Sequence, residues 1–140
     1  MRKLLIVLFF LCVSFLSYAQ GWIGHTEVEI RKNFPNSKWF EPYLSEPDYL
    51  RDDNILILTD RDTQFEWAFL FDSDTKLCFV YKLVCPHQDI NRVIKLLNEE
   101  YIPVSTTHWK LYDRGKWLYI YLKYDQKNDV TYFQYSDFED

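Results

Sequence analysis

Glycine is nearly missing from this chain: three residues in 140, at Gly21, Gly24 and Gly115. That scarcity excludes several chemistries. A phosphate-cradling P-loop, a dinucleotide G-x-G-x-x-G and a nucleophile elbow G-x-S-x-G all need closely spaced glycines, because backbone must turn sharply or approach a ligand. None of them can be found here. Histidine is equally scarce. His25, His87 and His108 stand singly, with no H-x-x-x-H spacing, so no zinc or other metal site and no cofactor is expected. Basic runs are missing too. The formal net charge is −5, and without Arg2 and Lys3 the rest of the chain holds 14 basic against 21 acidic residues, a net charge of −7. Nucleic acid and anionic membrane surfaces are therefore poor partners for it. The acidic blocks Asp52-Asp53 and Asp60-Arg61-Asp62 are short and read as solvated turns. No apolar run is long enough to stay in a bilayer: the longest covers residues 4–16, and a spanning helix needs roughly 17–25 residues.

That apolar run is instead part of an address. Arg2 and Lys3 precede it, and Ser17 and Ala19 follow it at A-x-A-like positions. This three-part pattern is that of a secretory signal peptide over residues 1–19, with cleavage expected between Ala19 and Gln20. No transmembrane anchor is expected after cleavage, and export to the periplasm or the outside of the cell follows. Residues 20–140 are then a single domain large enough for a modest core.

Aromatics are abundant, with 11 Tyr, 11 Phe and 5 Trp. They fall in a regular order. Thr26 and Glu29 form a capping-box pattern at a helix start, and Asn33-Phe34-Pro35 stops that helix. Residues 38–54 read as irregular. Short strands are expected at 54–58, 65–71 and 77–83, with Asp72-Ser73-Asp74-Thr75-Lys76 as a turn. Ile90, Val93, Ile94, Leu97 and Tyr101 recur at helical spacing within 88–101, with Asp89 as a cap candidate. Strands at 107–112, 116–124 and 130–135 follow, joined by a turn at 113–115 and a loop at 125–128. The expectation is an α+β fold: a two-layer sandwich in which an antiparallel sheet of about six strands carries two helices on one face. A helix–three-strand unit is repeated twice, over about 22–85 and 86–140. The repeat shows locally in Phe71-Asp72 followed by Phe79-Val80, matched in spacing by Tyr124-Asp125 followed by Tyr132-Phe133.

Alternation along a strand assigns faces. An odd-length loop would bring Phe65, Trp67, Phe69 and Phe71 onto one face with Leu77, Phe79, Tyr81 and Leu83, the arrangement that buries most apolar area. A four-residue loop at 125–128 would pair Tyr124 with Asp129 and Leu122 with Thr131. Leu118, Ile120 and Leu122 then belong to the core with Phe133 and Tyr135. The opposite face collects Trp117, Tyr119, Tyr121, Lys123, Val130, Tyr132 and Gln134. Tyr and Trp carry an apolar body and a polar tip, which suits a half-wet surface. Such a face is covered by residues 38–54, offered to a partner, or simply exposed at the rim of the sheet.

The order of elements, with its Gly24-x-Thr26-x-Val28 helix entry, resembles small exported bacterial domains of the beta-lactamase-inhibitor-protein-like type, and small exported proteins of no known activity. The resemblance is one of topology and implies binding rather than catalysis.

Residues able to carry chemistry point the same way. Cys78 and Cys85 lie in one expected strand, seven residues apart. At about 3.3 Å per residue they sit too far apart for a disulfide, and the odd separation turns them to opposite faces. Cys85-Pro86-His87 lacks an orienting third group, so it is not a catalytic pair. Asp72-Ser73-Asp74 lacks the glycine and the distal glutamate of a calcium loop. No catalytic residue is assigned. The expected function is a non-enzymatic binding domain with Trp117, Tyr119, Tyr121 and Tyr132 facing a protein or glycan partner in the envelope or outside the cell. A small hydrolase of envelope polymers and a purely structural domain are the alternatives.

Overall fold

The computed structural model describes residues 21–33, 47–60, 64–113 and 115–140; of 33, 47–52 and 113 it describes the backbone. The expected signal peptide, its cleavage site and residues 38–46 lie outside the described residues. The chain is a mostly-sheet α+β fold. In order come helix α1 (Glu27–Asn33), strands β1 (Pro47–Asp52), β2 (Ile55–Asp60), β3 (Glu66–Phe71) and β4 (Cys78–Val84), a 3-10 turn at His87–Asp89, helix α2 (Ile90–Glu100), and strands β5 (Ile102–Ser105), β6 (His108–Asp113), β7 (Lys116–Asp125) and β8 (Val130–Ser136). All eight strands join one sheet in the order β1-β2-β3-β4-β8-β7-β6-β5, every pair antiparallel. Among the described residues the sheet therefore has eight strands rather than about six, and in each half of the element order a helix is followed by four strands rather than three. Each half is a four-stranded meander, and the halves meet where β4 pairs with β8.

The two extra strands lie at the sheet edges, where sequence signals are weakest. Residues 47–52, expected to be irregular, run antiparallel to β2 through a two-residue turn in which Asp53 takes a left-handed φ of +49°. β5 is four residues long, exposed throughout, and contains Pro103. A proline there is tolerated because an edge strand needs fewer ladder donors.

α1 begins as its sequence dictates. The Thr26 amide donates to Glu29 Oε2 (2.8 Å) and the Glu29 amide to Thr26 Oγ1 (3.3 Å), a reciprocal capping box. The Thr26 amide holds the Glu29 carboxyl below its ordinary range. Gly24, at φ +82°, turns the chain so that its amide reaches the Cys78 carbonyl (2.7 Å), while the Cys78 amide donates to the His25 carbonyl (2.8 Å). α2 starts two residues later than the periodicity predicts, after the 3-10 turn. Asp89 makes no side-chain cap; its carboxylate binds Arg92 instead (2.7 Å).

The core lies on one face of the sheet. Across the strands it runs Leu58, Trp67, Leu83, Phe133 and Leu122, and beside that row Leu56, Phe69, Tyr81, Tyr135, Ile120 and Trp109. Ile30 of α1 and Val93 and Leu97 of α2 join the same cluster. Each such fully buried aliphatic side chain contributes about 1.5–3 kcal/mol. Where the halves meet, the Tyr81 and Tyr135 rings stack at 4.3 Å and 10°.

The expected faces of β3 and β4 hold for Trp67, Phe69, Tyr81 and Leu83 but not for Leu77 and Phe79. A bulge between Leu70 and Phe71 sets Phe71 opposite Cys78, so Cys78 turns inward while Leu77 and Phe79 turn out. The same bulge corrects the cysteines: Cys78 and Cys85 both join the core, as free thiols. Asp60 also departs from its expected place in a solvated turn, because it closes β2 and is fully buried. Between β7 and β8 the register is Tyr124 to Thr131 and Leu122 to Phe133, two residues from that expected. A shift of two preserves every face, since side chains alternate with period two.

The two turns that follow β3 and β7 have the same build. Asp72 Oδ1 accepts from the amides of Asp74 (2.9 Å) and Thr75 (2.8 Å), and Asp125 Oδ1 from those of Lys127 (3.0 Å) and Asn128 (3.3 Å). Four residues after each aspartate, Lys76 and Asp129 take φ of +61° and +53°. These donors hold both carboxyls below their ordinary range, the Thr75 amide foremost for Asp72 and the Asn128 side chain for Asp125. A group with a lowered folded pKa stabilises the fold above its unfolded pKa and loses that contribution as pH falls through the folded value. Asp72→Ala and Asp125→Ala are thus expected to lower the thermal midpoint at pH 7 by similar, modest amounts. The deficit should shrink below the ordinary carboxylate pKa of 3.8. Strongly unequal effects in melting curves would show that the two turns are not equivalent.

Candidate functional site

The sheet face opposite the core is built from the alternate residues of β6, β4, β7 and β8. Pairing sets Tyr121 between His108 and Gln134, Tyr119 between Lys110 and Ser136, Trp117 opposite Tyr112, and Lys123 opposite Tyr132. All four expected residues, Trp117, Tyr119, Tyr121 and Tyr132, therefore share one face. Trp117 is 38% exposed and Tyr112 58%, while Tyr119, Tyr121 and Tyr132 are half-buried.

The face is not simply aromatic. Three lysines lie over its rings: Lys82 over Tyr132 (4.9 Å), Lys110 over Trp117 (4.5 Å) and Lys123 over Tyr121 (5.6 Å). Cations placed so are attracted by the ring quadrupole. His108 stacks on Tyr121 at 4.3 Å, and its Nε2 is buried without a hydrogen-bond partner among the described residues. In a chain of net charge −5, a face with these cations runs against the overall balance. Its one described carboxylate on these four strands, Asp125, lies at the rim and is occupied by its own turn.

No protein-family model, curated protein or solved structure matches the chain. The site must be read from its own geometry.

Of the segment expected to cover the face, residues 38–46 lie outside the described residues and the described part lies elsewhere in the sheet. Residues 47–52 form the edge strand β1, with β2, β3, β4 and β8 between it and β7. Among the described residues, the chain doubles back onto the face after β8. Ser136 Oγ donates to the Phe138 carbonyl (2.8 Å), and the Asp140 amide donates to the Tyr121 hydroxyl (3.0 Å). The Asp140 carboxylate pairs with Lys123, and Asp137 approaches Lys116 at 4.0 Å. Residues 137–140, Asp-Phe-Glu-Asp, thus return across the aromatic face, and Phe138 stays 44% exposed.

Sequence reasoning missed Lys82, His108 and Lys110 on this face. The signal existed: the hairpin turn at 113–115 fixes β6 against β7, and alternation then points His108 and Lys110 the same way as Tyr121. Nothing in the composition of residues 137–140 signalled their return.

The two described cysteines are closed off. Burial pushes the Cys85 thiol up to about 11 and the Cys78 thiol to about 12. A nucleophile needs the thiolate, so Cys85 beside His87 is poorly placed for catalysis at neutral pH. Among the described residues, no three His, Cys, Asp or Glu side chains gather as a metal site, and no helix is long and apolar enough to cross a membrane.

Proposed function

We propose that the chain is a small exported, non-enzymatic binding module that receives a protein or glycan partner of the envelope or cell exterior on the face of Trp117, Tyr119, Tyr121 and Tyr132. The observation that supports this is the exposure of aromatic rings, each paired with a cation or another ring, on the side of the sheet away from the core. Cores use aromatics for volume; a surface that holds them in ordered contact with lysines suits recognition, where Tyr and Trp anchors dominate interface energetics. A two-layer arrangement belongs to this reading: the two described helices both contribute to the core cluster, and among the described residues no helix lies on the other face.

A pull-down from envelope and culture-medium extracts with residues 20–140 tests it. Tyr121→Ala should weaken a captured partner by about 1–2 kcal/mol, roughly 5–30-fold in Kd, with an unchanged circular-dichroism spectrum. Unchanged binding would place the contact elsewhere, and an unfolded variant would give Tyr121 a structural role instead.

A further inference from the structure

We propose that the ligand of this face is an acidic, extended peptide segment of a partner protein, and that residues 137–140 occupy its place in cis. The inference rests on the binding reading above and specifies its chemistry. Three observations carry it. First, the cations Lys82, Lys110 and Lys123 lie on the face of a chain that is acidic overall. Second, the structure already places an acidic segment there: Asp140 binds both Tyr121, through its amide, and Lys123, through its carboxylate. Backbone to a phenol and carboxylate to an ammonium is a contact pattern that any acidic extended segment can repeat.

Third, the segment in place is held lightly. Lys123 and Asp140 are each about a third exposed, and Asp137, equally exposed, touches the more open Lys116 at 4.0 Å. Exposed pairs of this kind are weak and easily screened. Phe138 keeps 44% of its surface exposed. An acidic partner segment that also packs an apolar side chain on Trp117 or Tyr119 would displace residues 137–140 while reusing their contacts. A neutral glycan can accept hydrogen bonds from the lysines but forms no ion pair with them.

The test is a titration of the protein, ¹⁵N-labelled, with the octapeptide Asp-Phe-Glu-Asp-Asp-Phe-Glu-Asp, its neutral twin Asn-Phe-Gln-Asn-Asn-Phe-Gln-Asn, and a neutral hexasaccharide. The acidic peptide should shift the amides of Tyr119, Tyr121, Lys123 and Tyr132, and the other two should not. Asp137→Asn/Asp140→Asn should bind it about threefold more tightly, because the competitor in cis is weakened. Lys110→Gln/Lys123→Gln should lose most of the affinity. Should that variant unfold, raising salt from about 50 to 500 mM, which collapses the screening length, must weaken the wild-type complex instead. Equal binding of the neutral peptide, binding of the hexasaccharide alone, shifts confined to other strands, or no gain in Asp137→Asn/Asp140→Asn would each overturn the inference. A partner captured in a Tyr121-dependent way while the acidic peptide fails would overturn this inference and leave the binding module standing.

Discussion

Trp109→Ala should destabilise the fold by about 3–5 kcal/mol, the usual cost of emptying a fully buried tryptophan site. Trp109 is 0% exposed on the core face of β6, opposite Ile120 of β7 and Pro103 of β5, and its ring lies 6.3 Å from that of Phe133. Its Nε1 donates to Asn98 Oδ1 (2.7 Å), which ties the second meander to α2. Truncation leaves a cavity between helix and sheet and removes that tie. Trp109→Phe keeps most of the volume and should cost about 1–2 kcal/mol, since Asn98 is exposed and water can replace the indole donor. Trp117→Ala, eight residues on but on the opposite face, should cost less than about 1 kcal/mol. Urea unfolding with unchanged m-values measures all three. A loss at Trp117 equal to that at Trp109 would contradict the assignment of faces.

That assignment was legible in the sequence for a physical reason. Period-two alternation in 116–124 and 130–135 fixes the two faces of each strand and any even shift keeps them matched, so an error of two residues in the β7–β8 pairing did no harm. The helix starts were legible as well, because capping and apolar spacing are local. The rest depended on contacts that alternation does not encode. The bulge at Leu70 and Phe71 exchanges Phe79 for Cys78 in the core, and no local propensity signals it. β1 and β5 gain their strand character from pairing with β2 and β6, while their own compositions, rich in Pro, Asp or Ser, argue for loops. The tyrosine face was found, but its charge was not: Lys82 reaches it only through the β4–β8 pairing, the longest-range contact in the sheet. The return of residues 137–140 is a tertiary event of the same kind.

Raising the pH should unfold this protein steeply. Four acidic groups are held neutral in the core. Burial is the first cause in each case, pushing Cys85 up to about 11, Cys78 to about 12, and Tyr81 and Tyr135 well above the ordinary phenol value. The Trp22 backbone, hydrogen-bonded to Tyr81, pulls in the other direction but does not prevail. The Tyr135 hydroxyl has no hydrogen-bond partner among the described residues, so nothing there favours its ionised form. A group whose folded pKa is raised contributes stability that is complete below its unfolded pKa and is lost as pH climbs toward the folded value. With unfolded values of 9.0 for the thiols and 10.0 for the phenols, the loss begins near pH 9 and deepens through pH 12. Cys78 alone rises by about three units; at 1.36 kcal/mol per unit that is on the order of 4 kcal/mol once its window is crossed. Cys78→Ala lowers stability at pH 7 through lost packing, yet its urea midpoint should fall less between pH 9 and 11 than that of the wild type. The Cys78 and Cys85 thiols should resist an aromatic disulfide reagent at pH 8. A midpoint that stays flat to pH 11, or thiols that react at once at pH 8, would mean that these four groups are not sealed in the core.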